Sequence, residues 1–268
     1  SVNHKSSIIN LDSMQVYKDL RILTDRPTDV DLCKCDHFLY GYLNGNEKNT
    51  AASWLNDAVD EIKKCFLNKT LPILVGGTGM YLNALMNGLA DIPDINAATK
   101  NETQKLFDNH GLSFLYDEIK KNYSSTKIQE NDRQRIFRSY SLLKQTGKVL
   151  EQWQLNTSPA IEDIDYQILL TTTDRDKLYF KAESRVDRMF EDTVVDEVSE
   201  LLNKGYDDNK SIMKAIGVRE ISSFLNKDID LKECKNAIKK NTRNYIKRQL
   251  TWIKGNNITQ NIDKKKFM

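Results

Sequence analysis

Apolar residues recur along the chain with two different periods, and the changes of period predict its elements. Short apolar runs at residues 7–11 and 71–75 each predict a buried strand. Apolar residues at helical spacing lie between the two runs, at Trp54, Leu55, Ala58, Ile62 and Phe66. A strand, a crossover helix and a second strand form a βαβ unit, which implies a parallel sheet.

Polar helical patterns with few strand signals fill the middle of the chain. Asn131 or Asp132 can cap one of these helices, and Gly147 supplies its stop. The strand pattern returns only after this helical stretch. We therefore expect a sheet whose sequence is interrupted by a helical insertion.

The pattern after the helical stretch completes the division of the chain into a core and an insertion. An apolar run at residues 166–173 predicts another strand, and a helix should begin near Asp174. We predict an α/β core built from residues 1–93 and 161–268, with a helical insertion domain at residues 94–160. The last third of the chain is predicted to be helical.

Composition favours a soluble globular protein. Of 268 residues, 39% are hydrophobic and 29% charged, which is not the balance of a disordered chain. No apolar run approaches the ~18 residues that span a bilayer, and no signal-peptide core is visible. We expect a cytoplasmic protein without membrane contact. The formal net charge is only +2, so any affinity for nucleic acid depends on local clusters of cations.

The cysteine pattern predicts neither disulfides nor zinc. Four cysteines in a chain of this length are too few and too scattered for a disulfide framework. Cys33, Cys35 and His37 alternate and would share one face of a strand. A structural zinc site needs four ligands, and no second cluster accompanies these three. We predict no metal site among them.

Polar side chains follow the first predicted strand in the stretch "SSIINLDSMQVYKDL". Asp12, Ser13 and Gln15 stand directly after the apolar run. In open α/β sheets, ligands bind outside the carboxyl ends of the strands, so these residues are candidates for site chemistry. The alternative is that Asp12 or Ser13 only caps a following helix.

The second predicted strand leads into the glycine-rich turn "VGGTGMY". Gly76, Gly77 and Gly79 would let backbone N–H groups approach an anion at the start of a helix. The spacing matches neither the dinucleotide fingerprint nor the phosphate loop, and a tight turn explains the glycines equally well. Thr78 is the side chain of this turn that could bind a substrate or orient Asp12.

Three groups of cations are candidates for binding phosphate. Arg175 and Lys181, at the start of a predicted helix, could clamp a diphosphate or simply face solvent. Residues 235–254 contain seven cations and no acidic residue, which favours a phosphate backbone over a solvated face. The seven are Lys235, Lys239, Lys240, Arg243, Lys247, Arg248 and Lys254. The insertion adds Arg133, Arg135 and Arg138.

Six motifs in order resemble those of bacterial tRNA dimethylallyltransferases: "LDSMQVY", "RPT", "PILVGGTGMYLNAL", "DRQRIFRSY", "AIGVREI" and "TRNYIKRQLTW". The resemblance covers nearly the whole chain. It implies a P-loop-kinase-like fold with a helical insertion. It also implies transfer of a dimethylallyl group from dimethylallyl diphosphate to N6 of the adenosine 3′ to the tRNA anticodon. The expected partners are the anticodon stem-loop and the diphosphate, with Mg²⁺ as cofactor and a monomeric protein.

Site roles follow from the same resemblance, residue by residue. Asp12 matches the general base, and Ser13 and Gln15 belong to the motif beside the flipped adenine. Thr78 matches the threonine that supports the base, and Arg175 matches an arginine on the diphosphate side. We assign Gly76, Gly77, Gly79 and Lys181 to substrate binding. We assign Arg133, Arg135, Arg138, Lys239, Arg243, Lys247 and Arg248 to tRNA binding.

The chain departs from the family pattern at three places. Lys181 replaces a second arginine, and Val218 replaces a tyrosine. The family also opens with a strand and a phosphate loop that carries the usual Mg²⁺ ligand, and nothing like it precedes Asp12 in the printed sequence. We therefore expect the chain as printed to be impaired in transfer and its first strand to lack a parallel neighbour. The alternatives are an inactive tRNA-binding module and a P-loop-type kinase, which would not need the basic helix.

Overall fold

The computed structural model of the protein forms two units. It describes residues 5–155, 157–162, 164–171 and 174–256. The first unit joins the residues up to Met86 with those from Ile161 onward, and the second is Asn87–Ala160.

A three-stranded parallel sheet organises the first unit. Strands β1 (Ser6–Asn10), β2 (Asp36–Phe38) and β3 (Leu71–Val75) lie in the order β2-β1-β3. Ile8 is paired with His37 on one side and with Ile73 on the other. The predicted parallel βαβ unit is confirmed. The expectation that the first strand lacks a parallel neighbour is wrong, because β2 occupies its second edge.

Ten α-helices accompany the sheet within the described residues. A short 3₁₀ turn at Ile212–Lys214 lies between the eighth and the ninth. The helices are α1 (Asp29–Leu32), α2 (Ala51–Leu67), α3 (Gly79–Asn87), α4 (Ala97–Asn122), α5 (Arg133–Thr146), α6 (Leu150–Trp153), α7 (Arg175–Glu191), α8 (Val194–Asn203), α9 (Val218–Leu225) and α10 (Leu231–Gly255). None of them is both long and apolar enough to cross a membrane.

The crossover helix α2 is fixed at its start and along one face. The Thr50 side chain accepts a hydrogen bond from the Ser53 N–H and so caps the first turn. Ile62 and Cys65 pack against Ile9 of β1 in one hydrophobic cluster. This packing positions the carboxyl end of β1, where the candidate site begins.

The second unit is a bundle of helices α4, α5 and α6. Asp132 caps α5 through the Arg135 N–H, and Gly147 ends the helix in the left-handed region at φ 73°. The predicted helix is thus confirmed at both ends. In the core of this unit, Leu115 and Ile119 of α4 pack against Ile136 of α5. Burial of these apolar side chains holds the helices of the unit together.

The strand predicted after the insertion does not form. Residues 164–171 are in no strand, and Tyr166 and Leu169 are both more than half exposed. A strand needs a hydrogen-bonded neighbour, and the described sheet ends at β3. The strand predicted from this apolar run is therefore wrong for the described residues 164–171. Residues 172 and 173 of the predicted strand lie outside the described residues.

Candidate active site

The loop that leaves β1 holds the Asp12 carboxylate by one oxygen. Asp12 Oδ1 accepts hydrogen bonds from the N–H groups of Met14, at 2.8 Å, and Gln15, at 3.3 Å. No described residue donates to Oδ2. Residues 13–20 contain bends, turns and a single β-bridge at Tyr17 but no helix, so the helix-capping alternative is wrong. The carboxylate therefore stabilises its own loop and still presents one oxygen that can accept a proton.

Thr78 fastens this loop to the glycine turn. Its Oγ1 accepts a hydrogen bond from the Ser13 N–H at 3.0 Å and lies 3.5 Å from the Ser13 hydroxyl. The Thr78 N–H donates to the carbonyl of Leu11 at 3.1 Å. Thr78 thus acts on Asp12 through the backbone of the next residue.

Packing explains why this turn is rich in glycine. A Cβ on Gly76 would lie 2.3 Å from the backbone carbon of Leu11. One on Gly77 would lie 2.0 Å from the Gln249 amide nitrogen, and one on Gly79 would lie 2.3 Å from the Trp252 ring. The Gln249 amide donates to the carbonyl of Gly77 at 2.9 Å. The glycines therefore admit both the β1 loop and the end of α10.

Three tyrosines lie near enough to Asp12 for its negative charge to raise their pKa. Burial raises the pKa of Tyr40 to about 12, and the Asp12 carboxylate adds to the rise. Burial raises the pKa of Tyr81 and of Tyr245 as well, with a further contribution from Asp12 in each case. Tyr81 is also stacked on Trp54, with ring centroids 4.1 Å apart. At neutral pH the three phenols stay protonated, so they can donate hydrogen bonds but cannot accept a proton from a substrate.

The raised pKa of the half-buried Tyr40 predicts a loss of stability in alkali. Tyr40 has an ordinary value of 10.0 and a folded pKa of about 12. Because the folded pKa is raised, the stabilisation is complete below the ordinary value and is lost as the pH rises through the folded one. We expect the urea midpoint to fall between about pH 10 and pH 12. Replacing Tyr40 with phenylalanine should lessen the fall, and an identical fall in this variant would contradict the shift.

Gln15 is committed to the backbone of a neighbouring loop. Its amide nitrogen donates to the carbonyls of Thr24, at 2.9 Å, and Asp25, at 2.8 Å. Asn49 similarly donates to the carbonyl of Ser13 at 3.0 Å. Both side chains hold the Asp12 loop in place, and the Gln15 oxygen accepts no hydrogen bond from a described residue.

Helix α7 runs antiparallel to α10. Asp187 pairs with Lys239 at 2.7 Å, and Glu183 pairs with Arg243 one turn further along both helices. If the same register continued for two more turns, Arg175, the first residue of α7, would lie level with Thr251 near the end of α10. That end is the one that covers the glycine turn.

No described contact joins Arg175 or Lys181 to the Asp12 loop. The Arg175 guanidinium donates instead to the hydroxyl of Tyr179 at 2.8 Å, and Lys181 is exposed. The diphosphate clamp predicted from these two cations therefore stays a prediction.

Acidic residues of α7 neutralise part of the positive charge of α10. Lys235 lies 3.8 Å from Asp187, and the hydrogen bond from Lys239 lowers the pKa of Asp187 below its ordinary value. The sequence predicted that the cations of this helix have no compensating acids. These two contacts and the Arg243 pair show that Asp187 and Glu183 of α7 compensate three of them. Ion pairs of this kind hold two helices together and leave less charge for a nucleic acid.

Two neighbouring exposed cations lie near the end of α10. Lys247 and Arg248 line a surface depression with Asn244, Thr251 and Trp252. Neither cation forms an ion pair within the part of the chain that the structure describes. The Arg248 guanidinium lies over the Tyr245 ring at 5.6 Å. We call Lys247 and Arg248 the terminal basic pair.

The three arginines of the insertion differ in their surroundings. The Arg133 guanidinium lies over the rings of Phe107, at 4.4 Å, and Phe137, at 5.1 Å. Arg135 pairs with Asp132 at 3.5 Å. Arg138 is exposed, and no ion pair joins it to another described residue. Among the described contacts, Arg138 is the one of the three that has neither an ion pair nor a ring contact.

Several site residues were not found from the sequence. Tyr40 and Asn49 carry no motif, and their relation to Asp12 depends on chain segments far apart in sequence. Gln249 and Trp252 lie in α10, whose sequence was interpreted from its cations. The one available signal was the neighbouring glycine turn, since glycines without a phosphate motif imply close packing.

Comparison with known proteins identifies the family. The IPP transferase model matches residues 15–256. The chain belongs to the IPP transferase family. It is similar to the tRNA dimethylallyltransferase of Rickettsia felis, with 33% identity over 94% of this chain and 82% of that protein. The enzyme of the same name from Pelagibacter ubique is 35% identical over 93% of this chain and 80% of its own.

Solved structures agree with this assignment. The tRNA isopentenylpyrophosphate transferase of Bacillus halodurans is 28% identical, covers 93% of this chain and 78% of its own, and has a TM-score of 0.65. The resemblance drawn from the six motifs is confirmed, and so is the α/β fold of this IPP transferase. A eukaryotic dimethylallyltransferase solved acting on tRNA shares the fold, with a TM-score of 0.79 at 24% identity.

Proposed function

We propose that this IPP transferase moves a dimethylallyl group from dimethylallyl diphosphate to N6 of the adenosine 3′ to the tRNA anticodon, acting in the cytoplasm. The observation that carries the proposal is the Asp12 carboxylate, whose Oδ2 accepts no hydrogen bond from a described residue. Its relatives named tRNA dimethylallyltransferases support the same reaction.

Asp12 would serve as the general base. The exocyclic amine of adenine is a poor nucleophile, so its proton must leave as it attacks the allylic carbon. The N6–carbon bond forms, the bond from that carbon to the diphosphate oxygen breaks, and the proton passes to Asp12. The two N–H groups on Oδ1 keep the carboxylate in place during this step. The protonated Tyr40 and Tyr81 can donate hydrogen bonds to the substrate.

The departing diphosphate needs positive charge. Arg175 and Lys181 are our candidates, with the backbone of the glycine turn. Mg²⁺ commonly binds one or two carboxylates together with substrate phosphates. The described residues contain no group of three or more acidic, histidine or cysteine side chains that could hold a metal ion. The donor set therefore does not fit a protein cage for Mg²⁺, and we derive no step through the ion.

The terminal basic pair is our candidate for contact with tRNA phosphates, together with Arg138. We predict that replacing Lys247 and Arg248 with alanine weakens binding of the anticodon stem-loop. The slope of log K against log salt should fall by up to about two phosphate contacts. A mobility-shift titration over a salt series measures both effects.

A matched variant separates binding from structure. Replacing Lys239 and Arg243 with alanine removes two charges from the same helix, but these cations already pair with Asp187 and Glu183. This variant should lose stability and keep the wild-type salt slope. Equal slopes for the terminal variant and the wild type would remove the terminal basic pair from the interface.

The reaction itself is tested by product analysis. The protein, expressed from its natural start codon, is incubated with tRNA and dimethylallyl diphosphate, and the digested nucleosides are analysed by mass. We expect dimethylallyladenosine. Binding of tRNA without this product would favour the inactive binding module. Phosphoryl transfer from ATP without it would favour the kinase.

A further inference from the structure

Asn10, the last residue of β1, has a completely buried side chain at the edge of the site. It is 0% exposed, although amides are rarely buried in full. Its Oδ1 accepts the N–H of Asp12 at 2.8 Å, and its Nδ2 donates to the carbonyl of Asp12 at 2.9 Å. One side chain thus holds both polar groups of the Asp12 backbone.

The same amide joins the Asp12 loop to the end of β2. Nδ2 also donates to the carbonyl of Leu39 at 3.0 Å. Leu39 has a φ of 63°, a left-handed conformation that costs energy for a branched residue and needs support from its surroundings. The next residue is Tyr40, whose pKa is raised in part by the Asp12 carboxylate. Asn10 therefore connects the two segments that present Asp12 and Tyr40.

We infer that Asn10 is a positioning residue, which fixes the Asp12 carboxylate and the Tyr40 phenol relative to each other through three hydrogen bonds. The inference rests on the proposed function only for its effect on catalysis. No other side chain in the described residues bonds both to the backbone of Asp12 and to the backbone beside Tyr40. The carbonyl of Asn10 is itself fixed by the Trp54 indole N–H at 3.0 Å.

The chemistry of the amide explains the residue type. A carboxylate at this position could accept the Asp12 N–H but would repel both carbonyls and would place a second negative charge beside Asp12. A serine hydroxyl supplies one donor and can replace part of the set. An alanine leaves the buried N–H of Asp12 and the carbonyls of Asp12 and Leu39 without this partner, which is unfavourable for buried polar groups.

The first experiment compares Asn10→Ala and Asn10→Ser with the wild type in dimethylallyl transfer. A misplaced base should lower kcat, because reacting atoms that are misplaced by about an ångström lose much of their rate. For Asn10→Ala we expect at least a tenfold fall in kcat, with KM for tRNA changed less than threefold. Asn10→Ser should recover part of the loss. A kcat within twofold of the wild type in both folded variants would overturn the inference.

A matched variant controls for lost stability. Thr103 is a buried polar residue of the helical unit, hydrogen-bonded to Ser141 at 2.9 Å. Thr103→Ala should lower stability by a similar amount and leave kcat unchanged. If the fall in kcat for the Asn10 variants is matched by Thr103→Ala, the role of Asn10 is only structural.

A spectroscopic readout is independent of activity. In protein labelled with fluorotyrosine, the ¹⁹F signal of Tyr40 is assigned with Tyr40→Phe, and its shift on Asp12→Asn is measured. We expect this shift to shrink by more than half in Asn10→Ser. An unchanged shift would overturn the inference. Should the wild type transfer no dimethylallyl group, the proposed function fails, and this measurement alone decides the role of Asn10.

Discussion

Replacing Asp12 with asparagine is expected to abolish dimethylallyl transfer and to leave tRNA binding nearly intact. The amide cannot take the amine proton, but its oxygen can still accept the N–H groups of Met14 and Gln15. The loop should therefore keep its shape. Single-turnover rates measure the effect, and a loss smaller than about tenfold, or roughly 1.4 kcal/mol, would contradict the role of base.

Two further variants make this result specific. Asp12→Ala removes the hydrogen-bond acceptor as well as the base, so it should lose stability in addition to activity. Asp60→Asn removes an exposed carboxylate on α2 and should change neither. A similar rate for Asp12→Asn and Asp60→Asn would show that Asp12 does not accept the proton.

Replacing Gly76 with alanine is expected to destabilise the first unit by about 2–4 kcal/mol. The new Cβ would lie 2.3 Å from the backbone carbon and 2.4 Å from the backbone oxygen of Leu11. Leu11 directly follows β1 and its N–H donates to the carbonyl of Val75 at 2.8 Å, so its backbone cannot move aside as the end of a flexible side chain can. The strand β1 and the Asp12 loop should shift together, so activity should fall with stability.

Urea unfolding measures this change against a glycine that has room. Gly255, in the last turn of α10, has no heavy atom within 4 Å of an added Cβ. Gly255→Ala should leave stability unchanged or raise it slightly, because alanine favours the helix. A loss below about 0.5 kcal/mol for Gly76→Ala would mean that the close approach to Leu11 is relieved at little cost.

Local patterns predicted the parts of the fold whose causes are local. The glycine turn, the crossover helix and the caps of α5 follow from short stretches, since period, cap and stop are properties of neighbouring residues. The strand expected at residues 166–173 failed for the opposite reason. Its pairing depends on which distant strand lies beside it, and apolar alternation carries no such information.

The candidate site shows the same division. The motifs marked Asp12 and Thr78, because the chemistry of a base and its support requires those residue types. The partners of Lys239 and Arg243 lie 52 and 60 residues earlier, on α7, so the sequence showed only uncompensated charge. Asn10 was hidden because a polar residue at a strand end has many ordinary explanations, and its three bonds appear only in the fold.

The most direct test of the account uses two anticodon stem-loops that differ in one group. One carries adenosine 3′ to the anticodon, and the other carries purine riboside, which lacks the 6-amino group, at the same position. Each is incubated with the protein, expressed from its natural start codon, and dimethylallyl diphosphate labelled in its carbon chain. We predict that label enters the adenosine stem-loop alone and that Asp12→Asn prevents this. Label in the purine stem-loop, or in neither, would contradict transfer to N6 at the Asp12 site.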